Sequence, residues 1–381
     1  MTTSSTPGVI SGLENAIAAA TRLSRVNGQI GELIIAGFAL EELAGRATFE
    51  EMLYLLWHDR LPTTAELAPF TQALVELRPL PTATLNLLQA AAKAQVPAMD
   101  ALRMGAGTLN LDLPDSDPFH QAQAIVARLP TIIAAYWRLR QGLEPVAPRP
   151  DLTHSANYLY MISGDEPHAA RVRGLDTYLV TVSDHGLNAS TFTARTIIST
   201  QSDLVSAIVG AIGALKGPLH GGAPGPALDM VFEIGTAEKA ESYLRAKIEA
   251  GERLMGFGHR VYKVRDPRAE VLSQAAAKMY RTDGDMALYE LAKKVETTAV
   301  TLLAEYKPSR NLQTNVEFYT ALLLHGLDLP TDLFTPTFAI GRTGGWLAHC
   351  FEQQENGRLI RPKSTYIGET GRQWVPLEQR A

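Results

Sequence analysis

The sequence predicts a mostly helical, all-α protein, and three observations support this prediction. Apolar residues recur at spacings of three and four, which is the period of a helix face. Several of these segments begin with a capping side chain or a proline and end at a glycine. Alternating runs joined by Asn-Gly or Asp-Gly turns are scarce, and the Asp283-Gly284 pair precedes a helical pattern instead of a second strand. We therefore expect helices to form the core.

The first helices have clear start and stop signals. Thr48 and Glu51 form a capping-box pattern, in which the threonine hydroxyl accepts a hydrogen bond from an early backbone N–H and the glutamate reaches back. Thr63 and Glu66 repeat this pattern directly after Pro62. The sequence thus predicts one helix between Thr48 and Pro62, and a second helix that begins after Thr63.

Two later helices are predicted to begin at a proline. Asp266-Pro267 and Thr335-Pro336 each place a capping side chain before a proline, which needs no N–H partner at the first helical position. Helix ends are expected at four glycines, because glycine adopts the left-handed conformation without a penalty. They are Gly142, Gly235, Gly251 and Gly357.

The composition is that of an ordinary globular protein with no broad affinity for nucleic acid or membranes. Apolar residues make up 46% and charged residues 20% of the 381 residues, and the formal net charge is −5. Cys350 is the only cysteine, which excludes an intrachain disulfide and fits a reducing compartment, so we expect a cytoplasmic protein. Residues 1–7 do not resemble a signal peptide, and no apolar stretch is long enough to span a bilayer.

Three of the nine histidines lie beside glycine at a helix end or in a loop: His185, His220 and His259. In such a setting a ligand can approach the backbone, and the imidazole is not packed away. The other histidines lie in helical or helix-edge contexts and are expected to be structural.

Six short segments, in this order along the chain, resemble the citrate synthase family, and the match extends over nearly the whole chain. They are residues 184–191, 216–223, 256–262, 266–268, 315–319 and 361–364. The resemblance implies a citrate synthase-like, two-domain helical dimer. In it, a large domain of residues 1–222 and 332–381 carries an inserted small domain of residues 223–331. The active site would lie in the cleft between the domains, which closes over oxaloacetate before acetyl-CoA reacts.

The resemblance also implies three catalytic residues. His220 would hydrogen-bond the thioester carbonyl of acetyl-CoA while Glu317 removes a methyl proton, and His259 would polarise the ketone of oxaloacetate. This division of labour is chemically reasonable, because a carboxylate can deprotonate so weak a carbon acid only if a donor stabilises the enolate oxygen.

The remaining site residues implied by the resemblance bind the two substrates, and neither a metal ion nor another cofactor is expected. Guanidinium groups bind carboxylates through two parallel hydrogen bonds, which suits the two carboxylates of oxaloacetate. The oxaloacetate ligands would be His185, Arg268, Arg342 and Arg361, the last reaching the site of the partner subunit. The CoA ligands would be Leu254, Met255, Gly256, Phe257, Gly258, Arg260 and Lys263.

The sequence departs from the family pattern at two places, and it leaves alternatives open. Glu317 stands where an aspartate is usual, and residues 31–37 lack the Tyr-Arg-Gly of many relatives. One alternative is a 2-methylcitrate synthase, which uses propionyl-CoA with the same acid and base groups. Another is a catalytically weakened paralogue that binds oxaloacetate or CoA. A purely structural helical scaffold would leave the glycine-flanked histidines unexplained.

Overall fold

The computed structural model describes residues 10–13, 16–113, 117–221, 224–259 and 261–380, and these residues are mostly helical, as predicted. The first eight helices are α1 (Leu40–Leu43), α2 (Phe49–His58), α3 (Thr64–Glu76), α4 (Thr82–Lys93), α5 (Ala98–Ala106), α6 (Pro118–Arg140), α7 (His154–Ser163) and α8 (Ala169–Val182). They are followed by α9 (Ala189–Ile198), α10 (Leu204–Leu215), α11 (Pro224–Ile234), α12 (Ala240–Glu249), α13 (Pro267–Asp283), α14 (Met286–Tyr306), α15 (Val316–Gly326) and α16 (Phe334–Asn356). No helix in the described ranges is both long and apolar enough to cross a membrane.

The described helix starts confirm most of the capping predictions. The N–H of Glu51 donates to Oγ1 of Thr48 at 3.2 Å, and the N–H of Thr48 donates back to Oε2 of Glu51 at 2.7 Å. Helix α3 follows Thr63, whose N–H donates to the Glu66 carboxylate at 2.9 Å. Helix α13 begins at Pro267, behind the cap that Asp266 provides.

The helix start predicted at Thr335-Pro336 is wrong. A single 3-10 turn, Thr331–Leu333, runs directly into α16, so the helix already begins at Phe334. The Thr335 hydroxyl is used elsewhere, because it donates to the carbonyl of Gly221 at 2.9 Å. Pro336 is tolerated there, since N–H groups in the first turn of a helix have no partner within the helix.

The helix ends at glycine are confirmed, but with one difference in conformation. Gly142, Gly235 and Gly251 have φ of 75°, 70° and 78°. Gly357 follows α16 with an extended backbone at φ −91°. A Cβ atom at Gly357 would lie 2.4 Å from the carbonyl oxygen of Gln353 and 1.9 Å from its side-chain Nε2, so close approach of the last helical turn, and not a left-handed turn, favours glycine there.

A small antiparallel sheet near the N-terminus was not predicted. It comprises β1 (Ser24–Asn27), β2 (Glu32–Ile35) and β3 (Phe38–Ala39), in that order. The turn of residues 28–31 between β1 and β2 packs on the loop after His259, where Gly28 accepts a hydrogen bond from the N–H of Lys263 at 2.8 Å. A Cβ atom at Gly28 would lie 2.1 Å from the carbonyl oxygen of Val261, so the two backbones touch.

Helix α16 lies at the centre of the main core. It contacts α2, α6, α8, α9 and α10, and its Trp346 is fully buried. Close packing depends on glycine here, because Cβ atoms at Gly344 and Gly345 would lie 2.4 Å from Leu53 and 2.1 Å from Ser183. Cys350, also on α16, is buried as expected, and burial raises the pKa of its thiol to about 12.

A second group of helices surrounds α15. Helices α11 and α13 pack on α15, α12 packs on α14, and α13 also contacts α8 of the main core. The predicted domain division at residues 222/223 and 331/332 stays a prediction.

Candidate active site

A cavity of about 930 Å³ opens between the C-terminal end of α8, the starts of α13 and α15, and the middle of α16. The connections that follow α8 and α10, the first turn of α9 and the loop after His259 also form its wall, together with residues 12, 13, 16 and 18 near the N-terminus. Most of the predicted catalytic and oxaloacetate-binding residues line this one cavity. They are His185, His220, His259, Arg268, Glu317 and Arg342.

The backbone determines which nitrogen of His259 carries the proton. Nδ1 accepts hydrogen bonds from the N–H groups of Val261 and Tyr262, at 2.9 and 3.1 Å. The proton of the neutral ring is therefore on Nε2, because the two backbone bonds to Nδ1 are shorter than the 3.4 Å contact between Nε2 and Nη2 of Arg268, which is not a hydrogen bond in this tautomer. Burial and the nearby charge of Arg268 lower the pKa of His259 to about 4, so the ring is uncharged at pH 7. His259 thus provides a neutral N–H donor.

Ser190 determines the tautomer of His220 in a similar way. The N–H of Ser190 lies 3.3 Å, and its Oγ 2.8 Å, from Nε2 of His220. Because a backbone N–H can only donate, Nε2 accepts and the ring proton is on Nδ1. Oγ of Ser190 donates to Oδ1 of Asn188 at 2.8 Å, so the backbone N–H, and not the hydroxyl, assigns this tautomer. Nε1 of Trp346 donates to Oγ of Ser190 at 3.1 Å and holds the serine in place. Burial and the charge of Arg342 lower the pKa of His220 to about 4, so this ring is also neutral.

His185 is held by a tyrosine from the opposite wall. Its Nε2 lies 3.0 Å from Oη of Tyr262. Burial, followed by the charges of Arg268 and Arg342, lowers the pKa of His185 well below its ordinary value. The third predicted histidine is therefore neutral too, and it can exchange hydrogen bonds with a ligand without adding charge.

Arg268 is buried and already paired. Its Nε and Nη2 donate to Oδ1 and Oδ2 of Asp266, at 3.1 and 2.8 Å. Burial alone would lower the pKa of Arg268, but the Asp266 carboxylate raises it above the ordinary value. This pair fixes the guanidinium plane at the cavity wall while leaving part of its donor set for a ligand.

Arg342 is buried, and it has no ion-pair partner within 4 Å among the described residues. It is 1% exposed, its Nε donates to the carbonyl of Val182, and its guanidinium lies 4.8 Å from the ring centre of Phe338. It forms no ion pair with any described carboxylate. Burial lowers the pKa of Arg342 to about 10, which leaves it charged at pH 7. An unpaired buried cation that lines a cavity indicates a binding site for an anion.

Glu317 is the second residue of α15. Asn315 caps the helix and accepts from the N–H of Glu317 at 3.0 Å. Burial raises the pKa of Glu317, although the charge of Arg268 opposes this rise. A carboxylate with a raised pKa is a stronger base than one in water, so Glu317 is suited to accept a proton.

The described residues of the predicted CoA site do not line the cavity. Arg260, also predicted for this site, lies outside the described residues. Leu254 and Phe257 are each 6% exposed. The backbone of residues 256–258 pairs with residues 313–315, through bonds of 2.7 Å from Gly258 to Gln313 and 3.0 Å from Asn315 to Gly256. Within the described chain this loop therefore holds the start of α15, and its contact with CoA stays a prediction. The other residues of this set are Met255 and Lys263.

Arg361 also lies away from the cavity of its own chain. It is exposed in the segment that follows α16. The same segment exposes large apolar side chains, with Tyr366 71% and Trp374 78% exposed. Its place in the site of a partner subunit stays a prediction.

Two supporting residues were not assigned from the sequence. Ser190 belongs to a segment that resembles the family, yet nothing in the sequence indicates that it contacts His220. Trp346 lies 156 positions away from Ser190, so their contact depends on the packing of α16. In the described ranges, His, Cys, Asp and Glu side chains form no group of three or more that could hold a metal ion.

Comparison with known proteins agrees with this fold. The sequence profile described as "Citrate synthase, C-terminal domain" matches residues 12–363. Citrate synthase 2 of Bacillus subtilis is 40% identical over 97% of this chain and 99% of its own length. The 2-methylcitrate synthase of Mycobacterium tuberculosis is 38% identical over 96% of this chain and 92% of its own length.

Solved structures show the same similarity. The crystal structure of citrate synthase from Pyrobaculum aerophilum has a TM-score of 0.89 and 39% identity, covering 98% of this chain and 95% of that one. Citrate synthase from Thermoplasma acidophilum, in a ternary complex with carboxymethyl coenzyme A and oxaloacetate, has a TM-score of 0.86 and 28% identity, covering 97% of this chain and 99% of that one. The fold and the comparisons place the chain among the helical acyltransferases. It belongs to the citrate synthase family.

Proposed function

We propose that this protein condenses acetyl-CoA with oxaloacetate and water to give citrate and CoA. The observation that carries the proposal is the buried, unpaired Arg342, which lines the same cavity as two neutral histidine donors and Glu317. Oxaloacetate supplies the missing negative charge. Its second carboxylate is bound by Arg268, and His185 completes the contacts.

The first chemical step forms an enolate. Glu317 removes a proton from the methyl group of acetyl-CoA, and Nδ1–H of His220 donates to the thioester oxygen as negative charge develops there. A neutral donor is suitable because its proton affinity is close to that of the enol, so the proton can move in both directions. Ser190 and Trp346 hold the His220 ring in this tautomer.

The second step forms the new carbon–carbon bond. The enolate carbon attacks the ketone of oxaloacetate, and Nε2–H of His259 donates to the ketone oxygen and gives its proton to the alkoxide that forms. Solvent then replaces the Nε2 proton of His259, and Glu317 releases the methyl proton to solvent, so both groups are restored. Water hydrolyses the resulting citryl thioester and releases citrate and CoA. The proposed chemistry uses no metal ion, because histidine N–H groups polarise both carbonyls.

The proposal extends to a dimer in the cytoplasm. The exposed apolar side chains of residues 357–380 suit packing on another subunit, and this would bring Arg361 to the partner's site. The thioester would reach the cavity from the side of residues 254–263, with Arg260 and Lys263 near its phosphates. The single cysteine supports a reducing compartment.

A second candidate function is the condensation of propionyl-CoA, which the similarity to 2-methylcitrate synthases favours. One extra methylene in an apolar pocket changes binding by only about 1–3 kcal/mol, so a few side chains decide the preference. The apolar part of the cavity wall includes Leu187, Phe192, Val316 and Phe338.

Steady-state release of free thiol tests these functions directly. We expect release from acetyl-CoA that requires oxaloacetate and exceeds release from propionyl-CoA. A preference for propionyl-CoA would establish the second function. Tight oxaloacetate binding without thiol release from either thioester would contradict both and would favour a catalytically weakened binding protein.

A further inference from the structure

The face of α16 that carries Arg342 contacts the site through further residues as well. Arg342, Gly345, Trp346 and His349 lie at spacings of three and four and therefore share one side of the helix. Arg342 lines the cavity, and Trp346 holds Ser190 against His220. Gly345 allows contact with the backbone at Ser183, where a Cβ atom would lie 2.1 Å from the carbonyl oxygen. His349 is fully buried at the end of this row.

His349 joins two buried charged residues. Its Nδ1 lies 2.9 Å from Nη1 of Arg195, and its Nε2 lies 3.2 Å from Oδ1 of Asp184. A guanidinium N–H can only donate, so Nδ1 accepts and Nε2 carries the proton that is donated to Asp184. Arg195 is fixed in turn by Glu352, at 2.6 Å. The contact between Arg195 and Nδ1 therefore directs the N–H of the His349 ring to Asp184.

Asp184 is the anchor of the segment that forms the cavity floor. Oδ2 accepts from Oγ of Ser24 in β1 at 2.5 Å, and the same Oγ accepts from the N–H of Gly186 at 2.7 Å. Both carboxylate oxygens are thus held, one by β1 and one by α16. Burial would raise the pKa of Asp184, but the contacts with His349 and Ser24 and the charge of Arg342 hold it below its ordinary value.

The two neighbours of this anchor along the chain reach the ligand site. Two residues before Asp184, the carbonyl of Val182 accepts from Nε of Arg342. One residue after it, His185 lines the cavity. If the Asp184 side chain rotated, the segment would shift, and this would displace His185 and the Val182 carbonyl that holds Arg342. His259 and Glu317 lie on different elements and would keep their places.

We propose that His349 is a positioning residue for oxaloacetate, acting through its hydrogen bond to Asp184 on the Val182–His185 segment. The inference rests on the proposed function, because it assigns oxaloacetate to the cavity. From the sequence alone His349 is expected to be structural, because its long distance from Asp184 along the chain gives no signal for this role.

Two substitutions separate the two hydrogen bonds of the ring. In His349→Gln, the amide NH₂ replaces Nε2 and keeps a donor for Asp184. In His349→Asn, the shorter side chain replaces Nδ1 with an acceptor for Arg195 and leaves Asp184 without its donor. The two variants are similar in size and polarity, so a merely structural role would affect them alike.

Titration calorimetry of the full-length protein with oxaloacetate, together with thiol-release kinetics, makes the test. We expect His349→Asn to bind oxaloacetate about tenfold and at most about a hundredfold more weakly, because the loss of one hydrogen bond to a charged group sets the upper limit and only part of it is transmitted to the ligand. His349→Gln should bind nearly as well as the unmodified protein. At saturating oxaloacetate, kcat should change much less than the KM for oxaloacetate.

Folding is checked by circular dichroism and gel filtration. If His349→Asn does not fold, Ser24→Ala removes the other bond to Asp184 from a less buried position, and it should weaken oxaloacetate binding in the same direction. Equal affinities in folded Asn and Gln variants, or an unchanged affinity in Ser24→Ala, would overturn the positioning role alone. An unmodified protein that binds no oxaloacetate would instead refute the proposed function and, with it, this inference.

Discussion

Shortening the base by one methylene, in Glu317→Asp, is the perturbation for which the structure gives the clearest expectation. The backbone at the start of α15 is held at several points. The N–H and side-chain amide of Asn315 donate to the carbonyls of Gly256 and Gly258, at 3.0 and 2.9 Å. The Cβ of Phe318 lies 2.9 Å from where a Cβ of Gly256 would be. The helix start therefore cannot move inward to follow a shorter side chain.

The size of the effect follows from this restraint. One carbon–carbon bond withdraws the carboxylate by about 1.5 Å. A misplacement of about 1 Å at a reacting centre costs roughly 100-fold in rate, so Glu317→Asp should be about 100-fold slower in proton abstraction. The ordinary pKa values of aspartate and glutamate side chains in water differ by only about 0.4, so basicity contributes little. Oxaloacetate affinity should stay nearly unchanged, because the proposed ligands of that substrate are Arg342, Arg268 and His185.

The proton-abstraction step is measured by exchange of the acetyl-CoA methyl protons into solvent, with an oxaloacetate analogue that does not condense. Glu317→Gln removes the base and should slow exchange by about 10²–10⁴-fold. Glu290→Asp makes the same chemical change at an exposed position of α14 and should have no effect. Equal or faster exchange in Glu317→Asp would refute the argument from the restrained helix start. Exchange at the normal rate in Glu317→Gln would refute the assignment of Glu317 as the base.

Three further predictions concern pH and association. The proposed mechanism needs Glu317 deprotonated and His220 and His259 neutral, and each histidine has a pKa of about 4. The value of kcat/KM for thiol release should therefore fall as the pH decreases from 7. A rate that rises between pH 7 and 5 would contradict this. If Arg361 serves the partner's site, the Arg361→Ala and His220→Ala proteins should each be inactive but should regain activity after their subunits are mixed and exchanged. In the mixed dimer one site has an intact His220 from one subunit and an intact Arg361 from the other. No recovery would place Arg361 elsewhere. Buried His154 has a folded pKa of about 3, below the unfolded value of 6.5, so the unfolded chain takes up the proton first. Its contribution lowers the free energy of unfolding by up to about 1.4 kcal/mol for each pH unit below about 6.5, and urea unfolding at pH 7 and 5 should show a smaller pH dependence in His154→Gln.

The features that the sequence predicted correctly depend on short-range interactions. The capping box of Thr48 and Glu51 lies within one helical turn, so both partners are visible in a few consecutive residues. The same is true of Asp266 before Pro267. The catalytic candidates were identified because motifs typical of a family surround them, and the structure brings most of them to one cavity.

The features that the sequence did not reveal depend on contacts between distant segments. Strands β1 to β3 have only two to four residues each, which is too short for a clear alternating pattern. Thr335 has the side chain of a cap, but tertiary structure uses its hydroxyl to bind Gly221. His349 resembles any buried helical histidine until Asp184 and Arg195 are seen on either side of it.

The charges around the cavity explain why a mildly acidic protein can bind anionic substrates. Arg268 and Asp266 together are neutral, whereas Arg342 has no partner among the described carboxylates. A carboxylate placed beside Arg342 would stabilise the fold, since a buried charge without a partner is costly. It would also occupy the hydrogen-bond donors that a substrate carboxylate needs. Asp184 instead stays behind Arg342, held by Ser24 and His349, where its charge supports the arginine. The positive charge of Arg342 therefore stays available for the ligand. The unpaired cation lowers the stability of the free protein, and a ligand that pairs with it recovers this free energy on binding.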